Sequence, residues 1–234
     1  VGALTAADFR FKARVWEMNQ TPSIDMTNGK GTNIDLWTRD NIVLRITPRY
    51  NKEVNDHWMP DEARTAYTLF NENRISRPLQ KLDGEQVLSS WNNAYATLME
   101  QLEEVKPAEV LLVGSPHASV EENYALAKFA NLNGYRKPVF LRNEEKGKAD
   151  GFLLTDDLAP NTNGCILLGF DELTPAEFSA EADKAGLIIL VHDDFISREV
   201  LTAGQLDGKY TVIFASNHTK TTKAADLVIP VTTA

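Results

Sequence analysis

Two different periodicities divide this chain. Through about residue 50, apolar and polar positions alternate in short runs at 23–26, 33–37 and 42–46, and the turn residues Gly29-Lys30-Gly31 separate the first two. Period two with glycine and asparagine punctuation predicts a small antiparallel sheet. Residues 61–67 predict a short helix. The proline-bearing stretch 74–79 reads as a link, which sets the expected domains at 1–73 and 74–234. From Ser90 the period turns helical: Trp91, Tyr95, Leu98, Leu102 and Val105 recur at four, three, four and three. That spacing predicts a core-facing helix behind a serine cap. Beyond it, apolar runs at 110–113, 139–141, 165–168, 187–191, 212–215 and 227–229 are continuous, as strands buried on both faces are. Helical stretches separate several of them, two announced by the capping boxes Ser119 to Glu122 and Thr174 to Glu177. The expected fold class is α/β, with a small β-rich first domain followed by a doubly wound parallel sheet.

Charge modifies this picture in one place. The 234 residues carry 24 Lys and Arg against 33 Asp and Glu, a net charge of -9, which argues against a nucleic-acid partner. The balance is uneven: 8 basic against 5 acidic residues in 1–52 give +3, and 16 against 28 in 53–234 give -12. The basic part interleaves cations with aromatics in Arg10, Lys12, Arg14 and Trp16, an arrangement read as a protein interface. One cysteine, Cys165, permits no internal disulfide and points to a reducing compartment. No apolar run approaches the ~18 residues that cross a bilayer, so no membrane insertion is expected. The absence of an initiator methionine, and a last strand just completed at 227–231, suggest a piece of a longer protein.

Candidate chemistry is sparse. The loop Gly114, Ser115, Pro116, His117, Ala118, Ser119 leaves a strand and enters a helix, where backbone N–H groups favour anions, yet it carries no dinucleotide or P-loop signature. His117, His192 and His218 each follow a predicted strand and so fall at the carboxyl edge of the sheet, where ligands bind in such folds. No metal-ligand spacing joins them, and solvated strand ends are the preferred reading. The doublets Glu103-Glu104, Glu121-Glu122, Glu144-Glu145 and Asp156-Asp157 read as solvated faces. Cys165 falls inside a predicted apolar strand and reads as a small hydrophobe.

Several motifs together resemble the large iron-sulfur subunit of bacterial NADH-quinone oxidoreductase, complex I. They are V-G-A-L-T at 1–5, F-R-F-K-A-R-V-W-E at 9–17, T-P-S-I-D at 21–25, G-T-N-I at 31–34, R-I-T-P-R at 45–49, V-N-D-H-W-M-P-D-E-A-R at 54–64 and R-I-S-R-P-L at 74–79. Further on, S-W-N-N-A-Y at 90–95, E-E-N-Y-A-L-A-K-F at 121–129 and A-D-L-V-I-P at 225–230 resemble the wider molybdopterin oxidoreductase superfamily. The resemblance implies a vestigial 4Fe-4S domain of the Mo/W bis-MGD type, then a formate dehydrogenase/DMSO reductase-like domain. In the superfamily four cysteines hold the cluster; aligned on G-T-N-I and W-M-P-D-E-A-R, those positions here are Asp25, Asn28, Thr32 and Pro60. None is a thiolate, so no cluster is expected there. The resemblance also implies 4Fe-4S and 2Fe-2S clusters elsewhere in the parent protein, no molybdopterin, and flavin and iron-sulfur subunits of the peripheral arm as partners. Its expected place is the cytoplasmic side of the inner membrane, and the expected role of this part is that of a non-catalytic scaffold. Two alternatives stand beside it: a diaphorase-side subunit of an NAD-linked hydrogenase or formate dehydrogenase, and a phosphate- or nucleotide-binding module using Gly114, Ser115, His117, Ser119, His192 and His218.

Overall fold

The structure is a computed structural model that describes residues 6–142 and 146–232. It divides into two compact units, Val1–Asn73 with Asn143–Pro160, and Arg74–Arg142 with Asn161–Ala234. Residues 146–160, which the sequence places in the second domain, thus fold with the first. These residues close on themselves through a Lys146 to Asp157 bridge, and Asp157 O accepts from Gly29 N of the first unit.

In the first unit, β1 (Asn19–Ile24), β2 (Asn33–Arg39) and β3 (Ile42–Pro48) form an antiparallel sheet in that order. Asp40 and Asn41, both at positive φ, make the tight turn between β2 and β3, a conformation that Asn and Asp tolerate better than other side-chain-bearing residues. The short helices α1 (Asp61–Thr65) and α2 (Tyr67–Asn71) supply Ala63, Ala66, Tyr67 and Phe70 to a core with Ile34, Ile46 and Met59. Asn71 fastens α2 to β3: its Nδ2 donates to Val43 O at 2.7 Å and its Oδ1 accepts from Val43 N at 3.0 Å.

The second unit begins with a hairpin, β4 (Leu79–Leu82) and β5 (Glu85–Leu88), turned at Asp83 and Gly84 with both φ values positive. The sequence reading ends its link at 79 and assigns no element to 80–88; the Asp-Gly dipeptide is the signal for the hairpin. There follow α3 (Trp91–Glu104), β6 (Val110–Val113), α4 (Val120–Asn133), β7 (Val139–Phe140), α5 (Thr162–Leu167), β8 (Asp171–Glu172), α6 (Pro175–Ala182), β9 (Leu187–Val191), β10 (Tyr210–Ala215), α7 (Lys220–Ala224) and β11 (Leu227–Pro230). The sheet order is β5-β4-β11-β10-β9-β6-β7-β8, with the six strands from β11 to β8 parallel and the hairpin antiparallel at one edge. Ranked by chain position, those six run 3-2-1-4-5-6 from β8, the doubly wound order, and the order reverses between β6 and β9. Alternate strand residues feed two cores. Leu111, Val113, Ile188, Leu190 and Ile213 pack with Phe178 of α6 on one face, while Val110, Leu112, Leu187, Ile189 and Val212 pack with Ala94, Leu126 and Cys165 on the other.

Two further expectations change. The run 165–168 is helical rather than extended: Cys165 is fully buried while Ile166 and Leu167 are 47% and 87% exposed, so only one side of the run meets the core. Gly169, at φ +81°, ends the helix, and the neighbouring strand is the two-residue β8. Helix α3 is likewise less buried than its stripe predicts. Ser90 Oγ caps it by accepting from Asn93 N, and Leu98, Leu102 and Val105 pack inward, but Trp91 and Tyr95 are about half exposed.

Candidate functional site

The loop joining β1 to β2 carries three of the four degenerate ligand positions. Asp25, Asn28 and Thr32 are buried there, and Pro60, also buried, immediately precedes α1. The loop satisfies itself. Asp25 Oδ1 accepts from Thr27 N at 2.9 Å and from Thr27 Oγ1 at 2.8 Å, Asp25 Oδ2 accepts from Asn28 Nδ2 at 3.2 Å, and Asn28 Oδ1 accepts from Lys30 N at 2.9 Å. Across its mouth Asp25 N donates to Thr32 O at 2.8 Å. Burial raises the Asp25 pKa against the pull of the Thr27 hydrogen bonds, and the nearby charge of Glu62 adds to the rise. Thr32 Oγ1 is buried without a hydrogen-bond partner. This set of a carboxylate already spent on two neighbours, an amide, a hydroxyl and a proline does not fit an iron-sulfur cluster, which needs thiolates. The single cysteine of the chain, Cys165, lies in the other unit, where burial pushes its thiol up to about 12.

The second candidate place is the carboxyl edge of the parallel sheet at its reversal, between the loop after β6 and the loop after β9. Gly114 opens the first loop because nothing larger fits: a Cβ there would stand 2.2 Å from the Phe170 ring and 2.7 Å from Asn123 Oδ1. Fully buried Asn123 braces the loop, accepting from Ser115 N at 3.2 Å and donating to Ser115 O at 2.9 Å and Ser119 O at 3.2 Å. Ser115 Oγ accepts from His117 N, and Ala118 N donates to Ser115 O. At the start of α4, Glu122 Oε2 accepts from Ser119 N at 2.8 Å and from Ser119 Oγ at 2.9 Å. The backbone donors that an anion would use at Ser115, His117, Ala118 and Ser119 are therefore committed to internal partners, and a carboxylate already occupies the helix start.

From the other side of the reversal His192 closes the gap. It follows β9 in a left-handed conformation, φ +53°, with its N–H donating to Phe214 O. Its Nε2 hydrogen-bonds Glu122 Oε1 at 3.0 Å, and its side chain is 10% exposed. Burial opposes ionisation of Glu122, but the His192 hydrogen bond and the Ser119 donors prevail and hold its carboxyl at about 2. The neighbouring acids are spent as well: Asp193 pairs with Arg198 at 2.7 Å, and Asp194 Oδ1 accepts from Thr221 N and Oγ1.

Of the residues singled out from sequence, Ser119 and His192 meet through Glu122. Gly114, Ser115 and His117 share the braced loop, and His218 is exposed beyond β10. Among the described residues no group of three or more His, Cys, Asp or Glu side chains is placed to hold a metal ion, and no helix is long and apolar enough to cross a membrane. Sequence reasoning missed Glu122, Asn123 and Arg198. Glu122, read there within a solvated acidic doublet and as one member of a capping box, is partly buried, because its second oxygen finds a histidine 70 residues away that no local pattern reveals. Glu103-Glu104 is exposed as expected, Asp156 and Asp157 cap backbone turns, and Glu144-Glu145 and the 1–5 motif lie outside the described residues. A groove of about 550 Å³ opens at the opposite edge of the sheet, but its cations are neutralised by Arg136 to Glu181 and Lys137 to Asp171 pairs, each at 2.6 Å. In the first unit, Arg10 stacks on Phe11 and Arg14 on Trp16, with Phe11 and Trp16 93% and 81% exposed.

Comparison with known proteins adds the family. Residues 18–68 match the family described as NADH-ubiquinone oxidoreductase NDSU1/NuoG-like, 4Fe-4S domain. The G subunit of NADH-quinone oxidoreductase from Rickettsia felis is 35% identical over 174 residues, covering 72% of this chain and 26% of the relative. Its counterpart from Rickettsia conorii is 36% identical over 126 residues, 54% of this chain and 19% of the relative. The mitochondrial NADH dehydrogenase (ubiquinone) iron-sulfur protein 1 of Solanum tuberosum is 36% identical over 135 residues, 57% and 18% respectively. The chain thus spans about a fifth to a quarter of the length of these curated relatives. These matches identify it as a homologue of the large iron-sulfur subunit of NADH-quinone oxidoreductase.

Proposed function

We propose that this chain works within an electron-transfer subunit of an NADH-quinone oxidoreductase, as a scaffold that carries no redox centre at the 25–32 loop. The observation that supports this reading is the donor set of that loop: Asp25, Asn28, Thr32 and Pro60 offer no thiolate, and the first two are hydrogen-bonded to each other. The 4Fe-4S and 2Fe-2S clusters of the whole protein then sit on other residues, and electrons pass from NADH toward quinone without entering this part. The second unit fits the same role. Its reversal point, where a doubly wound sheet takes its ligand, is spanned by Ser119, Glu122 and His192, which favours packing over the binding of a pterin or nucleotide. The partners in this reading are the flavin and iron-sulfur subunits of the peripheral arm, on the cytoplasmic side of the membrane. Arg10, Lys12, Arg14 and Trp16 form the face offered to a neighbour, since none of the three cations makes a salt bridge among the described residues.

The test is to isolate the full-length protein from its own cells through an affinity tag, and separately to assay the purified chain for iron and for low-temperature electron paramagnetic resonance. Co-isolation of NADH dehydrogenase subunits with an iron-free chain is the expected result. A chain holding about four irons, on the stoichiometry of a 4Fe-4S centre, or a partner set of hydrogenase or formate dehydrogenase subunits, overturns the reading.

A further inference from the structure

Residues 18–68, which include the 25–32 loop, match a family described as a 4Fe-4S domain, and a loop without thiolates needs something other than a cluster to hold it. Metal–thiolate bonds at such a site contribute directly to folding. Here residues 146–160 lie against the loop. Gly29 N donates to Asp157 O at 2.8 Å, a bond across 128 positions of sequence. Contact at this point is close: a Cβ on Gly29 would stand 3.3 Å from Ala159 O, 3.4 Å from Asp157 Cβ and 3.5 Å from Thr155 Oγ1. A methyl group at 29 would therefore press on Ala159 O by only a few tenths of an ångström, whereas a longer side chain would have to displace the segment.

The segment is built to present that contact. Its base is the bridge between Lys146 and Asp157, with Gly147 N donating to Asp156 O at 2.9 Å. Its tip is closed by Asp150, whose Oδ1 accepts from Phe152, Leu153 and Leu154 N, each at 2.8 Å. Near the contact, Asp157 O also accepts from Thr155 Oγ1 at 2.9 Å and Asp157 Oδ1 accepts from Ala159 N at 2.9 Å, so the carbonyl that receives Gly29 is fixed from both sides. Ala159 is 1% exposed. A segment ordered in this way loses little further entropy when it binds the loop.

We infer that residues 146–160 are a strap that fastens the 25–32 loop, the part that a cluster would otherwise play there. The inference rests on the proposed absence of a cluster at this loop. Hydrogen exchange read by mass spectrometry on the full chain tests it, comparing wild type with Gly29→Leu, which puts a side chain where the strap lies, and with Asp157→Ala, which frees Ala159 N while leaving Gly29 intact. The expected result is exchange roughly five- to tenfold faster in both 25–32 and 146–160, the range of a lost hydrogen bond, with β9 and β10 unchanged. Unaltered protection of 25–32 in both variants overturns the strap. A parallel arm separates this failure from that of the functional reading: wild type is incubated anaerobically with ferrous iron and sulfide. Uptake of iron with visible charge-transfer absorption overturns the cluster-free loop, and the strap inference with it. No uptake together with unaltered exchange overturns the strap alone.

Discussion

Removing the charge of Glu122 is the sharpest perturbation of the second unit. Glu122→Gln keeps the size of the side chain but replaces the carboxylate that accepts from Ser119 and bonds His192. The folded carboxyl lies at about 2 against an ordinary 4.5. A difference of that size corresponds to up to about 3 kcal/mol of stability at neutral pH. Its side chain is 30% exposed, and solvent screening brings the expected loss to about 1–2 kcal/mol. The sign follows from the lowered pKa. The unfolded chain takes up the proton first as pH falls, so the contribution is complete above pH 4.5 and disappears between 4.5 and about 2. Urea unfolding followed by far-ultraviolet circular dichroism, repeated from pH 7 to pH 3, measures both size and profile. At pH 7 the variant should be less stable by that loss of about 1–2 kcal/mol, read from the shift of the urea midpoint, and the two proteins should converge in stability toward pH 3. A difference that stays constant across that range, or no difference at pH 7, would refute the assignment of Glu122 as the ionised link between the helix start and His192.

Three further outcomes follow from the same geometry. Asp25 is an acid whose pKa burial raises, so its ionisation costs folded stability as pH rises through that value; Asp25→Asn removes that cost but sets an amide against a donor of the loop, so relative to wild type it should fare best at pH 7 and worse at acid pH in denaturant titrations. Gly114→Ala drives a methyl into the Phe170 ring and Asn123, and should cost about 1–3 kcal/mol by the same measurement. Cys165, buried with its thiol pushed up to about 12, should resist an aromatic disulfide reagent at pH 8 in the native state and react once per chain in denaturant.

The features legible in the sequence are those set by near neighbours. Period-two alternation located β2 and β3, continuous apolar runs located β6, β9, β10 and β11, and the Ser119 and Thr174 capping boxes located the starts of α4 and α6. The run 165–168 misled because four apolar letters do not say how many faces will be covered, and here one was. Long-range partners were invisible for the same reason. Glu122 reads as a capping residue until His192 is brought to it by the reversal of the sheet, and nothing within 146–160 announces that it folds back over Gly29.

Both units show the same physical pattern at the places where a ligand would be expected. The 25–32 loop retains a turn that encloses buried polar groups, but these are bonded to one another, and the backbone of the strap lies on Gly29. The sheet reversal keeps its glycine-opened loop and capped helix, but the donors of Ser115, His117 and Ser119 are matched within the protein, ending in the Glu122 and His192 pair. A buried polar group left without a partner costs about 1–3 kcal/mol, so a turn or loop that holds no ligand is stable only if the chain itself satisfies its polar groups. Thr32 Oγ1, buried and without a hydrogen-bond partner, is the exception in that first loop. Thr32→Val, which removes that hydroxyl at nearly constant volume, is therefore expected to leave stability unchanged or raise it, whereas a loss of more than about 1 kcal/mol would mean that the hydroxyl serves a partner.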